Sequence, residues 1–231
     1  YTREFEEGDP TFWREYEKAR EKGNAFNFKT TDNPTLENPE RVMALEKELP
    51  SQIFKQNYLA SFLPDAASIF PKVQEIIKDD SLSDVKPEHR YVMGVDVGKH
   101  EDYMAFCVID TWNNNVVYAE RSKEISYPIQ KIRITAVAKR YNNARIIIDS
   151  TAVGEPISDD LKHEGLFVIT DYKFSGKSKN ALVEKGIVFM EQKKVFLPPD
   201  NLSGTPLVAE LQAFGYKLTD SGNVTYGAPQ G

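Results

Sequence analysis

A chain of 231 residues is long enough for one large domain, or for one domain with a smaller attachment. Its 40% hydrophobic and 28% charged residues suit a packed globular protein, and no apolar run approaches the ~20 residues that a membrane-spanning helix needs. A net charge of −6 argues against a general basic nucleic-acid coat, though local basic patches can still meet phosphate, and the single cysteine, Cys107, excludes an internal disulfide and a cysteine-based zinc site.

Residues 1–85 carry helix signals and no strand set. The chain opens on Tyr1 rather than Met, so a piece of a longer protein is expected. Tyr1–Gly23 is charged and aromatic with good helical propensity, and Gly23 is its stop. Asn38 and Pro39 supply the N-cap and first position of a second helix, which runs to about Leu49. Ser51 opens a third helix through Phe62, with Ile53, Phe54, Tyr58, Leu59 and Phe62 at helical spacing. A connector over Leu63–Phe70, a short helix over Pro71–Asp80 and a linker over Ser81–Pro87 follow. The segment has little core of its own and reads as the tail of a preceding domain.

From Tyr91 the pattern is that of an α/β domain. Strands are expected at Tyr91–Val97, Met104–Thr111 and Val116–Arg121, and their short connections predict an antiparallel meander. Pro128 begins a helix with Ile129, Ile132, Ala136, Val137 and Tyr141 on its apolar face. A strand at Arg145–Asp149, a helix at Gly154–His163 and a strand at Leu166–Thr170 come next. A helix at about Lys179–Met190, a short strand at Lys194–Leu197, a helix at Leu202–Phe214 and a closing hairpin turning at Asp220–Asn223 complete the order.

Two of these strands, Arg90–Gly98 and Ala144–Ser150, are greasy runs that each end on one acid, Asp96 and Asp149. Such acids are common strand-end turn formers. Joined by a helical crossover, however, the two strands can be sheet neighbours and deliver both carboxylates to one edge. Oxygen donors of that kind suit Mg²⁺ or Mn²⁺, one or two ions, which activate water for attack on a phosphodiester. Gly94 and Gly98 leave room beside Asp96 for backbone or substrate. Asp102 reads as an outer or water-mediated ligand, or as part of a solvated turn with Lys99, His100 and Glu101. His89 and His163 show no partner spacing. Ser150 and Thr151 lack a nucleophile elbow, and their hydroxyls are expected to cap the next helix or orient Asp149. Lys177 and Lys179 lie in a basic, aromatic and glycine-containing run, Tyr172–Lys179, suited either to gripping phosphate or to a charged loop. Gly176-Lys177-Ser178 is not a phosphate loop, because Asp171 stands where its first glycine belongs.

The ordered motifs Met93-Gly-Val-Asp96-Val-Gly98, the meander, the helix and Ile146-Ile-Ile-Asp149-Ser150-Thr151-Ala-Val-Gly154 resemble the nuclease domain of the large terminase subunit of tailed bacteriophages. The resemblance spans about Tyr91–Gly231, and Ser178-Lys179-Asn180 and Gly227-Ala228-Pro229 are similar to later segments of that family. It implies an RNase H-like fold: a mixed sheet of about five strands, an antiparallel meander plus parallel strands, flanked by helices. It divides the chain into a helical tail of the ATPase domain with its linker, 1–85, and a nuclease domain, 86–231. It implies metal-dependent endonucleolytic cutting of double-stranded viral DNA during packaging. Asp96 and Asp149 would hold the metal, Lys177 and Lys179 would approach DNA, and a third acid is expected beyond Gly231. It also implies the portal protein and the small terminase subunit as partners, and the host cytoplasm with transient residence at the procapsid portal. A Holliday-junction resolvase or transposase-like nuclease shares the fold and chemistry. A nucleotide-binding domain of the sugar kinase and actin type shares the fold but needs more than one glycine after the first strand. A non-catalytic module docking on the portal or the small subunit is a further alternative.

Overall fold

The computed structural model describes residues 11–61, 68–79, 82, 84–98, 102–123, 125–151, 154–218 and 224–227. Its centre is β1 (Tyr91–Asp96), whose Tyr91, Met93 and Val95 are buried on one side. Alternation of this kind, with small or polar residues between, lets one strand face two different layers. β2 (Tyr103–Asp110) and β3 (Asn115–Lys123) pair antiparallel beside it, as the short connections predict. α4 (Tyr127–Arg140) then carries the chain across to β4 (Arg145–Asp149), which pairs parallel with β1. α5 (Gly154–Glu164) leads to β5 (Ile169–Tyr172), parallel to β4. The strand order is β3-β2-β1-β4-β5.

Each face of the sheet has its own core. On one face Met93, Met104, Val108, Ile146 and Ile148 meet Ile134 and Ala138 of α4 and Leu161 of α5, with almost no exposure. On the other, Val116 and Ala119 meet Ile187 of α6 (Gly176–Glu191) and Val208 of α8 (Leu207–Ala213). Ile69, Phe70, Val73 and Ile76, N-terminal to the sheet, are buried in this second core.

The first segment contains α1 (Thr11–Glu21), α2 (Pro39–Ala44) and α3 (Ser51–Tyr58). Asn38 caps α2 as expected, accepting from the Arg41 N–H at 3.0 Å. The N-terminus of α3 is satisfied from far along the chain: the Ser51 backbone N–H donates to Glu191 Oε2 at 2.9 Å, and Gln192 Nε2 donates to the Lys47 carbonyl at 2.7 Å. No helix among the described residues is long and apolar enough to cross a membrane.

Several boundaries differ from the sequence expectation. Of the helix expected over Pro71–Asp80, the described residues 71–79 form a 3-10 turn at Val73–Ile76, because the two deeply buried residues, Val73 and Ile76, fit the second core at three-residue spacing. Lys194–Leu197 makes isolated bridges to Ile77 and Asn115 instead of a strand, lacking a partner of matching length. Leu202–Phe214 is split into α7 (Asp200–Ser203) and α8 by Gly204, at φ 70°, and Pro206. β5 lies further along than Leu166–Thr170: Leu166 and Val168 are 50% and 65% exposed, and Val168 reaches the sheet through its carbonyl, which accepts from the Ile146 N–H at 2.9 Å. Polar Asp171 hid its true extent; there it receives the Ser158 hydroxyl and the Lys162 ammonium, which tie α5 to the edge strand. Two strands, β6 (Gly215–Leu218) and β7 (Val224–Gly227), form the closing hairpin, whose expected turn residues lie outside the described residues.

Ile148→Ala is expected to cost about 2–5 kcal/mol, as a deeply buried branched side chain, whereas Leu166→Ala should change stability by less than about 0.5 kcal/mol. Urea unfolding midpoints of the two variants check this.

Candidate metal centre

The last register pair of the parallel β1–β4 ladder is Val95 with Ile148. Asp96 and Asp149 are the next residue of each strand, so they leave neighbouring strands side by side at the carboxyl edge. Their predecessors Val95 and Ile148 point into the first core, which turns both acids to the opposite face, the α6 face. The proximity shows electrostatically. The Asp96 carboxyl is pushed above the usual aspartate range, first by loss of water to surrounding protein, then by the negative charge of Asp149. Lys179, in the first turns of α6, pulls it back down, and Asp102 pushes it up further. Four residues separated by up to 83 positions therefore share one neighbourhood.

The backbone supports this edge closely. Thr151 N–H donates to Asp149 Oδ1 at 2.8 Å and fixes that carboxylate's rotation. This is a correction to the expectation that the hydroxyls of Ser150 and Thr151 would do so. Thr151 Oγ1 instead accepts from the Phe174 N–H at 3.0 Å, and Ser150 Oγ is buried with no hydrogen-bond partner among the described residues. Gly154, at the start of α5, lies so close that a Cβ there would fall on the Asp149 carbonyl. At Gly98 a Cβ would come within 2.6 Å of the backbone of Asp102, Tyr103 and Met104, so the space foreseen beside Asp96 belongs to the chain itself. Gln130, buried in α4, donates from Nε2 to the carbonyls of Gly98 at 2.9 Å and Ile125 at 2.8 Å. Its position in the first turn of a helix gave no sign of this role.

The basic run after β5 is ordered. Tyr172 and Phe174 meet edge-on with ring centroids 4.8 Å apart, Lys173 pairs with Glu155 at 2.9 Å, and Ser175 with Ser178 forms a capping box that starts α6. Lys179 thus comes to the acids on a helix, and Lys177 is exposed in the same first turn. Lys99, His100 and Glu101 lie outside the described residues. His89, which showed no partner spacing in sequence, pairs through Nδ1 with the buried Asp110 at 2.6 Å and stacks on Trp112. This joins the segment before β1 to the β2–β3 turn, away from the acids.

Two carboxylates on one face, repelling each other and partly stripped of water, are the donor chemistry of a hard divalent cation. No group of three or more His, Cys, Asp or Glu side chains arranged to hold a metal occurs among the described residues. Asp102 is therefore felt as charge from a distance and does not close a three-residue cluster.

A mixed five-stranded sheet in this order, with acids ending its adjacent central strands, defines an RNase H-like fold. Residues 93–224 match the family model described as terminase RNaseH-like domain, and the chain belongs to that family. The large terminase subunit of Thermus virus P23-45 is 29% identical over 183 residues, 76% of this chain. The chain spans 37% of that relative's length. Crystal structures of the large terminase nuclease from thermophilic phage G20c, with bound magnesium and with bound cobalt, each align with a TM-score of 0.63 at 27% identity. The magnesium form covers 72% of this chain and 90% of its own; the cobalt form covers 71% and 89%.

Because Asp96 titrates above its ordinary range in the fold, its ionisation destabilises the native state. The stability it contributes is full below the ordinary aspartate range and is lost as pH rises through the raised value. Asp96→Asn should therefore raise the thermal midpoint at pH 7, and the gain should shrink as pH falls through the raised value and vanish once the ordinary aspartate range is passed; melting curves from pH 7 downward check the sign. Gly154→Ala should lower the midpoint, since the Asp149 carbonyl must move.

Proposed function

We propose that this chain is a divalent-metal-dependent endonuclease domain of a phage large terminase subunit, which cuts double-stranded viral DNA during packaging. The observation that carries the reading is the side-by-side exit of Asp96 and Asp149 from adjacent parallel strands. The magnesium- and cobalt-bound nucleases of phage G20c support the same donor chemistry.

Asp96 and Asp149 would hold Mg²⁺ or Mn²⁺. A divalent ion there supplies a hydroxide-forming water and stabilises the charge that builds on the phosphate. Thr151 keeps Asp149 Oδ1 engaged and so orients the other carboxylate oxygen. Lys179 balances the two negative charges and stands where a scissile phosphate would approach, while Lys177 meets the backbone further out. Asp102 acts through water. Residues 1–85 serve as the tail of the ATPase domain and its linker, and the whole subunit works with the portal protein and the small terminase subunit in the host cytoplasm.

Asp96→Ala and Asp149→Ala should each reduce Mn²⁺-dependent plasmid cutting to the no-enzyme background, as should chelation with EDTA, while Ser150→Ala retains activity. An agarose-gel time course reads all four. An Asp149→Ala variant that cuts as fast as the parent would sink the assignment, and strong preference for four-way junctions over linear duplex would favour a resolvase.

A further inference from the structure

The sheet register aligns a second group of residues with the acids. Across β1, β2 and β3, Asp96 pairs with Ala105 and Ala105 pairs with Arg121, so Arg121 and Asp96 stand in one row. Two residues along, Tyr103 pairs with Lys123. Residues in one row, and those two apart, point to the same face. The flanking side chains confirm it: Met104, Phe106 and Val108 enter the first core, while Cys107 and Ile109 pack against the second. Tyr103, Arg121 and Lys123 are therefore on the face that carries Asp96 and Asp149.

Tyr103 is 47% exposed. The Arg121 guanidinium lies 4.7 Å from its ring centroid and the Lys123 ammonium 5.8 Å away. Two cations gathered on one exposed ring repel each other, and among the described residues Lys123 has no ion pair. Arg121 pairs with Glu210 of α8, but the two side chains are 35% and 49% exposed. A pair that open to water is weak, and a phosphate makes the better partner for a guanidinium.

We propose that Tyr103, Arg121 and Lys123 form a phosphate-contacting track that holds a DNA duplex beside Asp96 and Asp149, with Glu210 occupying Arg121 until DNA displaces it. This rests on the nuclease reading. Two strand spacings put the backbones of Arg121 and Asp96 about 10 Å apart. A DNA strand advances 3.4 Å of axis per phosphate. The track thus meets the strand within a few phosphates of the bond the acids would attack. Tyr103 keeps the two cations together rather than reading a base.

Fluorescence anisotropy with a labelled 30-base-pair duplex in EDTA, over a range of salt, separates binding from cutting. The double variant Arg121→Gln/Lys123→Gln should bind on the order of tenfold more weakly and lower the slope of log affinity against log salt by about 1.8. Glu210→Gln should bind more tightly than the parent. Lys139→Gln, on α4 against the opposite face, should match the parent, and thermal melts should show all variants folded. A double variant that binds like a binding-competent parent overturns the track and leaves the nuclease reading standing. Equal weakening by Lys139→Gln overturns it too, as general charge loss. A parent that binds no duplex removes both readings.

Discussion

Two like charges held side by side at the end of a parallel strand pair are the constraint on which the site depends. Nothing about Asp96 and Asp149 favours their meeting; loss of water and, after it, the charge of Asp149 raise the Asp96 carboxyl out of its ordinary range. What holds them is hydrophobic. Met93, Val95, Ile146 and Ile148 are driven into the first core, and the alternation of a strand then leaves the acids no choice of face. Burial of that apolar surface outweighs the charge repulsion at the exposed edge. A divalent cation would relieve the conflict, so a centre that opposes folding in its absence favours folding in its presence.

The backbone around the acids is correspondingly tight. Gly154 and Gly98 sit where a side chain would strike the main chain, and Gln130 reaches from α4 to hold the carbonyl that follows β1. These residues touch no chemistry themselves. They fix the positions of the two strand ends, which must hold to a fraction of an ångström for two carboxylates to share a ligand.

Helix α6 connects this edge to the rest of the chain. Its first turns bring Lys179 to the acids, and at its far end Glu191 and Gln192 hold the start of α3 and the turn before it. A helix of 16 residues spans about 24 Å. The N-terminal helical segment and the acid pair are thus attached to opposite ends of one rigid element. Ile69, Phe70, Val73 and Ile76 add a second attachment through the core beneath it.

Strand periodicity in the sequence by itself determined the central elements, because β1, β2 and β4 are short apolar runs bounded by turn residues, and it singled out Asp96 and Asp149 as candidates because an acid ending such a run is conspicuous. It also placed Asn38 as a cap, since that interaction lies within three residues. Only the tertiary structure decided what depends on distant partners. The true extent of β5 was hidden until its ladder with β4 was formed, and His89 showed no partner because Asp110 comes from the far end of β2. Gln130 looked like any helical glutamine until Gly98 was placed against it. Lys179 and Asp96 are 83 residues apart in the sequence, and neither shows that the other is near. Local interactions are written in the spacing of neighbouring residues; contacts across the sheet exist only once hydrophobic burial has selected one register and one face for each strand.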